Sequence, residues 1–149
     1  YNMTDIAAAI GLVVLKNYNS DTLKKRKYIF EKYSALLSSH SWAQLPLYKT
    51  NEKESSYHVY ALRIKNVSEQ QRDMIIQEIF NCDVSVNVHF IPVPMMSFYK
   101  NLGYDIADYP VAKSNYACEI SLPVFYDLTD EQIETVINAV VSSYKKIIG

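Results

Sequence analysis

Ser85, Asn87 and His89 alternate with Val84, Val86, Val88 and Phe90, and a two-residue period puts the three polar side chains on one face of an extended segment. Imidazole offers a donor and an acceptor near neutral pH, which suits His89 to a phosphate or a sugar hydroxyl. Pro92 and Pro94 end the segment and hold the loop beyond it. The pattern by itself favours a plainer reading, a half-exposed histidine on a solvated sheet face.

The other reactive side chains give weaker signals. His58 opens an apolar run, where a hydrogen-bonded structural imidazole is expected. His40 lies among Ser38, Ser39 and Ser41 and is expected to face solvent. No two histidines are spaced i, i+3 or i+4, and no cysteine lies beside one, so no zinc site is expected. Cys82 and Cys118 read as buried reduced thiols, too few and too far apart for a disulfide framework. A Ser, His and Asp triad assembles in space rather than in sequence, and nothing points to one. Met95 and Met96 beside Phe98 and Tyr99 fit an adaptable apolar wall and fit helix packing equally well. The 13 tyrosines suit half-buried interfaces in which rings are covered and hydroxyls stay wet, and Trp42 reads as a packing anchor.

Composition narrows the partners. Fifteen Lys and Arg against sixteen Asp and Glu leave a net charge of −1, without the basic patch that a nucleic-acid backbone requires. No apolar run approaches the roughly 18 residues needed to cross a bilayer, and the start lacks the parts of a signal peptide. A cytoplasmic protein with neither nucleic acid nor membrane as partner is the expectation. Three glycines exclude a Gly-rich phosphate cradle. The chain opens on Tyr1, one step before a helix, and reads as a truncated piece of something longer.

The elements that must position these residues follow from capping and periodicity. Thr4 and Asp5 start a helix patterned by Ile6, Ala9, Ile10, Val13 and Val14 that runs to about Asn17. Tyr18, Asn19 and Ser20 break it, and Asp21 caps a second helix with Leu23, Phe30, Tyr33 and Leu37 on one stripe. A polar loop over 49–56 precedes a strand from Tyr57 to Ile64. Ser68 with Gln71 forms a capping box for a third helix. After the Val84 to Phe90 strand come a short helix near Met95 to Leu102 stopped by Gly103, a helix from Pro110 through Glu119, and an extended piece from Ile120 to Val124. A terminal helix then opens at the capping box of Thr129 and Gln132. This order predicts one α+β domain over residues 1–149, with helices packed on a small, mainly antiparallel or mixed sheet.

The segment from Tyr1 to Leu12, YNMTDIAAAIGL, strongly resembles the K-Y-N-[ML]-[TS]-D-I-x-A-A-[IL]-G motif of the DegT/StrS sugar aminotransferases. Further pieces follow in that family's order: Ser56-Tyr57-His58-Val59-Tyr60, Arg72-Asp73, Val88-His89-Phe90-Ile91-Pro92, Ser121-Leu122-Pro123 and Leu128-Thr129-Asp130. Together they cover essentially the whole chain without a large insertion.

The resemblance implies the C-terminal small domain of a fold-type I enzyme that uses pyridoxal 5′-phosphate. The cofactor-binding large domain, with the Schiff-base lysine, would lie outside this chain. None of the lysines present sits in the family's lysine motif, so no catalytic residue and no bound cofactor are expected here. It further implies a homodimer with a shared site, in which Asn2 reaches the cofactor phosphate of the neighbouring subunit, as a neutral amide can. His89, Phe90 and Pro94 would line the sugar-nucleotide side. Several relatives carry a second histidine where this chain has Pro94, so which keto-sugar is used stays open. The implied reaction moves an amino group from glutamate to a nucleotide-linked keto-sugar. The same resemblance leaves two alternatives, a sugar dehydratase with histidine in place of the lysine, and a non-catalytic ligand-binding or interaction module. It also predicts apolar surface on the first helix and on the Tyr57 strand, where a large domain would dock.

Overall fold

The computed structural model describes residues 2–149; Tyr1, the first residue of the quoted motif, lies outside them. Helix α1 spans Asp5–Asn17, and the Thr4 hydroxyl accepts from the Ala7 amide at 3.3 Å, satisfying one of the donors that a helix start leaves free. The expected break after it does not occur. Tyr18–Thr22 form a π-helical turn, closed by the Leu23 amide on the Tyr18 carbonyl, that runs directly into α2, Leu23–Leu37. Widening the helix by one residue absorbs the breaker signal of Tyr18, Asn19 and Ser20 without ending it, and Asp21 lies inside the continuous helix rather than capping a new one.

Strand β1, Ala43–Gln44, was not expected from the pattern. It pairs with β2, Tyr60–Ile64, and β2 pairs in turn with β3, Glu119–Leu122, giving a three-stranded sheet of order β1-β2-β3 that is antiparallel throughout. The α+β class holds, and the mixed-sheet option falls away. Helix α3 spans Glu69–Phe80 and α6 spans Asp130–Ile148, both opened by reciprocal capping boxes. Between them lie α4, Ser97–Asn101, and α5, Pro110–Cys118. Gly103 follows α4 with φ +90°, a conformation that costs glycine least.

Two predicted strands are shorter than their sequence pattern. Tyr57 has φ 53° and is fully buried, so the chain turns there and β2 begins at Tyr60. The Val84 to Phe90 segment keeps its alternation, with Val84 and Val86 buried and Ser85 and Asn87 exposed, yet only one bridge, Asn87 to Ser121, joins it to the sheet. The turn at Asp83, φ 58°, and the prolines Pro92 and Pro94 bound the segment on either side.

The core lies between the sheet and helices α2, α3 and α6. Ile29, Phe30, Tyr33 and Leu37 of α2 form one cluster with Tyr60, Leu62 and Ile64 of β2, Ile75 and Ile79 of α3, and Ile133 and Val140 of α6. Each such side chain contributes about 1.5–3 kcal/mol when fully removed from water. Most described tyrosines are half-buried or exposed as expected, and three depart from that pattern. Tyr33, Tyr57 and Tyr60 are buried around Phe30 in edge-on aromatic pairs, and their hydroxyls bond the Pro123 carbonyl, the Glu54 carboxylate and the Ser34 hydroxyl. Burial, the leading cause, pushes the Tyr60 hydroxyl up to about 12.

Other expectations need correction. Cys82 is exposed, and Cys118 is half-buried, its thiol donating to the Ser114 carbonyl at 3.3 Å and pushed up by burial. His40 is half-buried with its ring 5.1 Å from Trp42, which itself stacks on Tyr144 at 4.3 Å. The predicted apolar surface is present on α1, which has no buried residue and exposes Ile6, Ile10, Val13 and Val14. It is absent at Tyr57, whose ring belongs to the core.

Candidate functional site

Strand β3 carries the site because it is used on both edges. One edge follows β2 in the register Ala61 to Ser121 and Arg63 to Glu119. The other takes Asn87: its amide donates to the Ser121 carbonyl at 3.2 Å, and the Ser121 amide donates back to the Asn87 carbonyl at 2.7 Å. This single bridge brings His89 alongside Glu119. Within β3, Glu119 and Ser121 share one face by the two-residue period, while Ile120 and Leu122 enter the core from the other.

A linked set of hydrogen bonds results. The His89 amide donates to Glu119 Oε2 at 3.0 Å, His89 Nδ1 lies 2.9 Å from Ser121 Oγ, and Ser121 Oγ donates to Glu119 Oε1. Glu119 and Ser121 are buried, whereas His89 is exposed. Burial, the largest influence, raises the Glu119 carboxyl above the usual carboxylate range; the bonds from Ser121 and the His89 amide act in the opposite direction.

Arg72 secures the strand's entry. Although only 1% exposed, it donates through Nη1 to the carbonyls of Tyr116 at 2.9 Å and Glu119 at 3.1 Å, and through Nε to Asp73 at 2.7 Å. Its guanidinium also lies over the Tyr116 ring at 5.0 Å. A buried arginine that bonds two backbone carbonyls through Nη1 while Asp73 holds its Nε fixes the turn from α5 into β3, and so fixes where Glu119 begins.

His89 opens onto a cleft of 280 Å³ that is also lined by His58, Ser85, Asn87, Ser121 and Pro123. His58 thus corrects the structural-imidazole expectation: it is exposed on the cleft, with no hydrogen bond to its ring among the described residues. Phe90 is exposed and Pro94 half-buried, but neither lines this cleft. Asn2 is exposed in the segment before α1 and is not a lining residue either. The structure therefore gathers His89 with Ser85 and Asn87, and leaves Asn2, Phe90 and Pro94 apart.

The cleft does not provide a covalent anchor for a carbonyl cofactor, because no lysine lines it. What it does provide is a wall of neutral donors and acceptors suited to hydroxyl groups. Asn2, exposed and amide-bearing, is chemically able to donate to a phosphate held by another chain. Among the described residues no group of three or more His, Cys, Asp or Glu is placed to hold a metal ion, and no helix is long and apolar enough to cross a membrane.

Comparison with known proteins adds the following. The model of the DegT/DnrJ/EryC1/StrS aminotransferase family matches residues 1–141. The chain is 32% identical to spore coat polysaccharide biosynthesis protein SpsC of Bacillus subtilis over 93% of its length, and 27% identical to GDP-perosamine synthase of Vibrio cholerae over 94%. It superposes on the putative sugar aminotransferase Spr1654 of Streptococcus pneumoniae with a TM-score of 0.93 and 37% identity, over 99% of this chain and 36% of that one; that protein has been solved in apo, pyridoxamine-phosphate and pyridoxal-phosphate forms. The chain spans only 36% of SpsC and 37% of GDP-perosamine synthase.

Proposed function

The chain belongs to the DegT/DnrJ/EryC1/StrS aminotransferase family, and from that premise we propose that it is the C-terminal domain of a cytoplasmic, homodimeric enzyme that moves an amino group from glutamate to a nucleotide-linked keto-sugar. The single observation that carries the sugar side of this reading is His89, exposed on a cleft of neutral polar groups while its Nδ1 is held from behind by Ser121. The name of the perosamine synthase and the forms in which the pneumococcal relative was solved support a nucleotide-sugar substrate and pyridoxal phosphate in the whole enzyme.

In this reading the domain's own residues orient the acceptor sugar. His89 hydrogen-bonds a hydroxyl beside the reacting carbon, and Ser85 and Asn87 offer further polar contacts along the same cleft. Phe90 and Pro94 shape the approach from the exposed loop. Asn2 donates to the cofactor phosphate of the neighbouring subunit. When bound in the whole enzyme, pyridoxal phosphate would supply the electron sink for the amino transfer, held by a lysine that the residues of this cleft do not include. Contacts made away from the reacting bond raise the rate when they fix the approach of the carbonyl.

The test is the absorbance spectrum of the full-length enzyme with pyridoxal phosphate, followed by glutamate and then by nucleotide-linked keto-sugars. The proposal predicts that glutamate converts the bound cofactor to its amine form and that one class of keto-sugar converts it back. A cofactor that ignores glutamate contradicts the transaminase reading and favours a dehydratase.

A further inference from the structure

The reading above gives His89 a ligand to face but leaves open which of its two nitrogens carries the proton. Neutral imidazole is a donor at one nitrogen and an acceptor at the other, so the partner of Nδ1 decides what Nε2 offers. That partner is the Ser121 hydroxyl at 2.9 Å. A hydroxyl has a single proton to give, and Ser121 gives its own to the Glu119 carboxylate. Its remaining role toward His89 is to accept.

The carboxylate end of the chain is equally constrained. Glu119 Oε2 accepts the His89 backbone amide at 3.0 Å, so both carboxylate oxygens face donors. Arg72 donates to the Glu119 carbonyl at 3.1 Å, which keeps the side chain's root fixed and leaves a guanidinium near the anion. Glu119 and Ser121 are each only 5% exposed, which limits the competition of water for their hydrogen bonds.

We propose that Glu119, acting through Ser121, is a positioning residue that holds the His89 proton on Nδ1 and so presents Nε2 as a hydrogen-bond acceptor to a ligand hydroxyl. The buried end of the chain sets the polarity, and the exposed end displays it. No hydrogen bond to Nε2 occurs among the described residues, which leaves that atom available to a ligand. A site that accepts rather than donates at this position selects a free hydroxyl and disfavours a carbonyl or phosphoryl oxygen there, since those groups have no proton to give. This inference rests on the reading of His89 as a sugar contact.

Glu119→Gln separates polarity from shape. The amide side chain of that variant keeps the volume, and its oxygen can still accept the His89 backbone amide. Its nitrogen then faces Ser121 and donates to it, so Ser121 donates onward to Nδ1 and the ring proton moves to Nε2. Ser121→Ala removes the link altogether, and Ser121→Thr restores the hydroxyl.

The experiment is a long-range nitrogen–proton NMR spectrum of the imidazoles in the 149-residue chain, whose core closes within itself, together with keto-sugar kinetics in the full-length enzyme. The expected results are a wild-type His89 protonated on Nδ1, the opposite tautomer in Glu119→Gln, loss of the bias in Ser121→Ala and its recovery in Ser121→Thr. In the full-length enzyme, Glu119→Gln is expected to raise KM for the keto-sugar about tenfold, the scale of one reversed hydrogen bond, with a smaller change in kcat. A wild-type His89 protonated on Nε2 overturns the proposal directly, and this measurement needs no variant to fold. If the tautomer reverses as expected but KM for the keto-sugar does not move, the relay stands and the reading of His89 as a sugar contact fails.

Discussion

Helices α1 and α6 begin alike and end in different environments. Each is opened by a threonine hydroxyl on a first-turn amide, each has at least one acidic residue in its first turn and lysine in its last, and each is rich in apolar side chains. Yet α6 buries Ile133, Val136, Ile137, Ala139, Val140 and Ser143, whereas α1 buries nothing and leaves Ile10 62% exposed. Caps and periodicity therefore decide that a helix forms, and only a partner surface decides whether its stripe is covered. For α6 that partner is α3 and α2 of the same chain. On the reading proposed above, the partner of α1 is the large domain of the enzyme.

The sharpest way to break this comparison is to make the same kind of truncation in both helices. Ile133→Ala is expected to cost about 2–5 kcal/mol, because a 1% exposed side chain leaves a cavity in a packed core. Ile10→Ala is expected to stay within about 0.5 kcal/mol in the 149-residue chain. Urea unfolding monitored by circular dichroism reads both. Equal losses would mean that α1 is packed in solution.

Arg72→Ala is the next largest effect, at about 3 kcal/mol, since it removes a charged donor from two carbonyls and leaves the Glu119 carbonyl unpaired in a buried setting. The same unfolding curves measure it, and a neutral outcome would show that water replaces the guanidinium. Thr129→Ala is expected to cost about 1 kcal/mol, the usual worth of an N-cap, because α6 is integral to the core. Thr4→Ala removes the same kind of cap from α1, and its expected effect is local: faster amide exchange at Ala7 and Ala8 with an unchanged midpoint.

The smallest effect concerns the joint between the two regions. Tyr18, in the π turn, donates to the Ser56 carbonyl at 3.4 Å, and the loop it touches is tied down by Glu54. The Tyr57 hydroxyl at 2.5 Å is the leading influence on Glu54, with Lys49 and Lys27 beside it, and together they hold its carboxyl down to about 2. A depressed folded value stabilises above the ordinary carboxylate range and is lost as pH falls from about 4.5 toward about 2. Acid titration followed at Tyr57 is expected to show this window in the wild type and to lose it in Glu54→Gln.

Most of the fold was legible because its signals are local. The capping boxes at Ser68 and Thr129, the proline at the first position of α5 and the glycine after α4 all act within one turn of the residues that carry them. The π turn was hidden because Asn19 and Ser20 are weak helix formers and Asp21 is a common cap, and the widened helix satisfies their backbone without a break. The Val84 to Phe90 segment has a strand's alternation without a strand's ladder, since pairing depends on a neighbour that the segment's own pattern does not contain.

The site was only half visible. His89 stood out by type and by alternation. Glu119 did not, although a glutamate and a serine two residues apart in an otherwise apolar run place two polar groups on one buried strand face. That spacing was the available signal, but its meaning depends on the bridge between Asn87 and Ser121, a contact between segments far apart in sequence. His58 was hidden by the positive-φ turn at Tyr57, which carries it out of the expected core strand and onto the cleft.

The most direct test of the central claim, that this domain forms the sugar side of a shared site and leaves the chemistry elsewhere, is a single-turnover comparison of the two half-reactions in the full-length enzyme carrying His89→Ala. The account predicts that the keto-sugar half-reaction slows about 10- to 100-fold more than the glutamate half-reaction, the loss expected for one hydrogen bond at the acceptor sugar. An equal loss in both half-reactions, or a loss confined to glutamate, would contradict it.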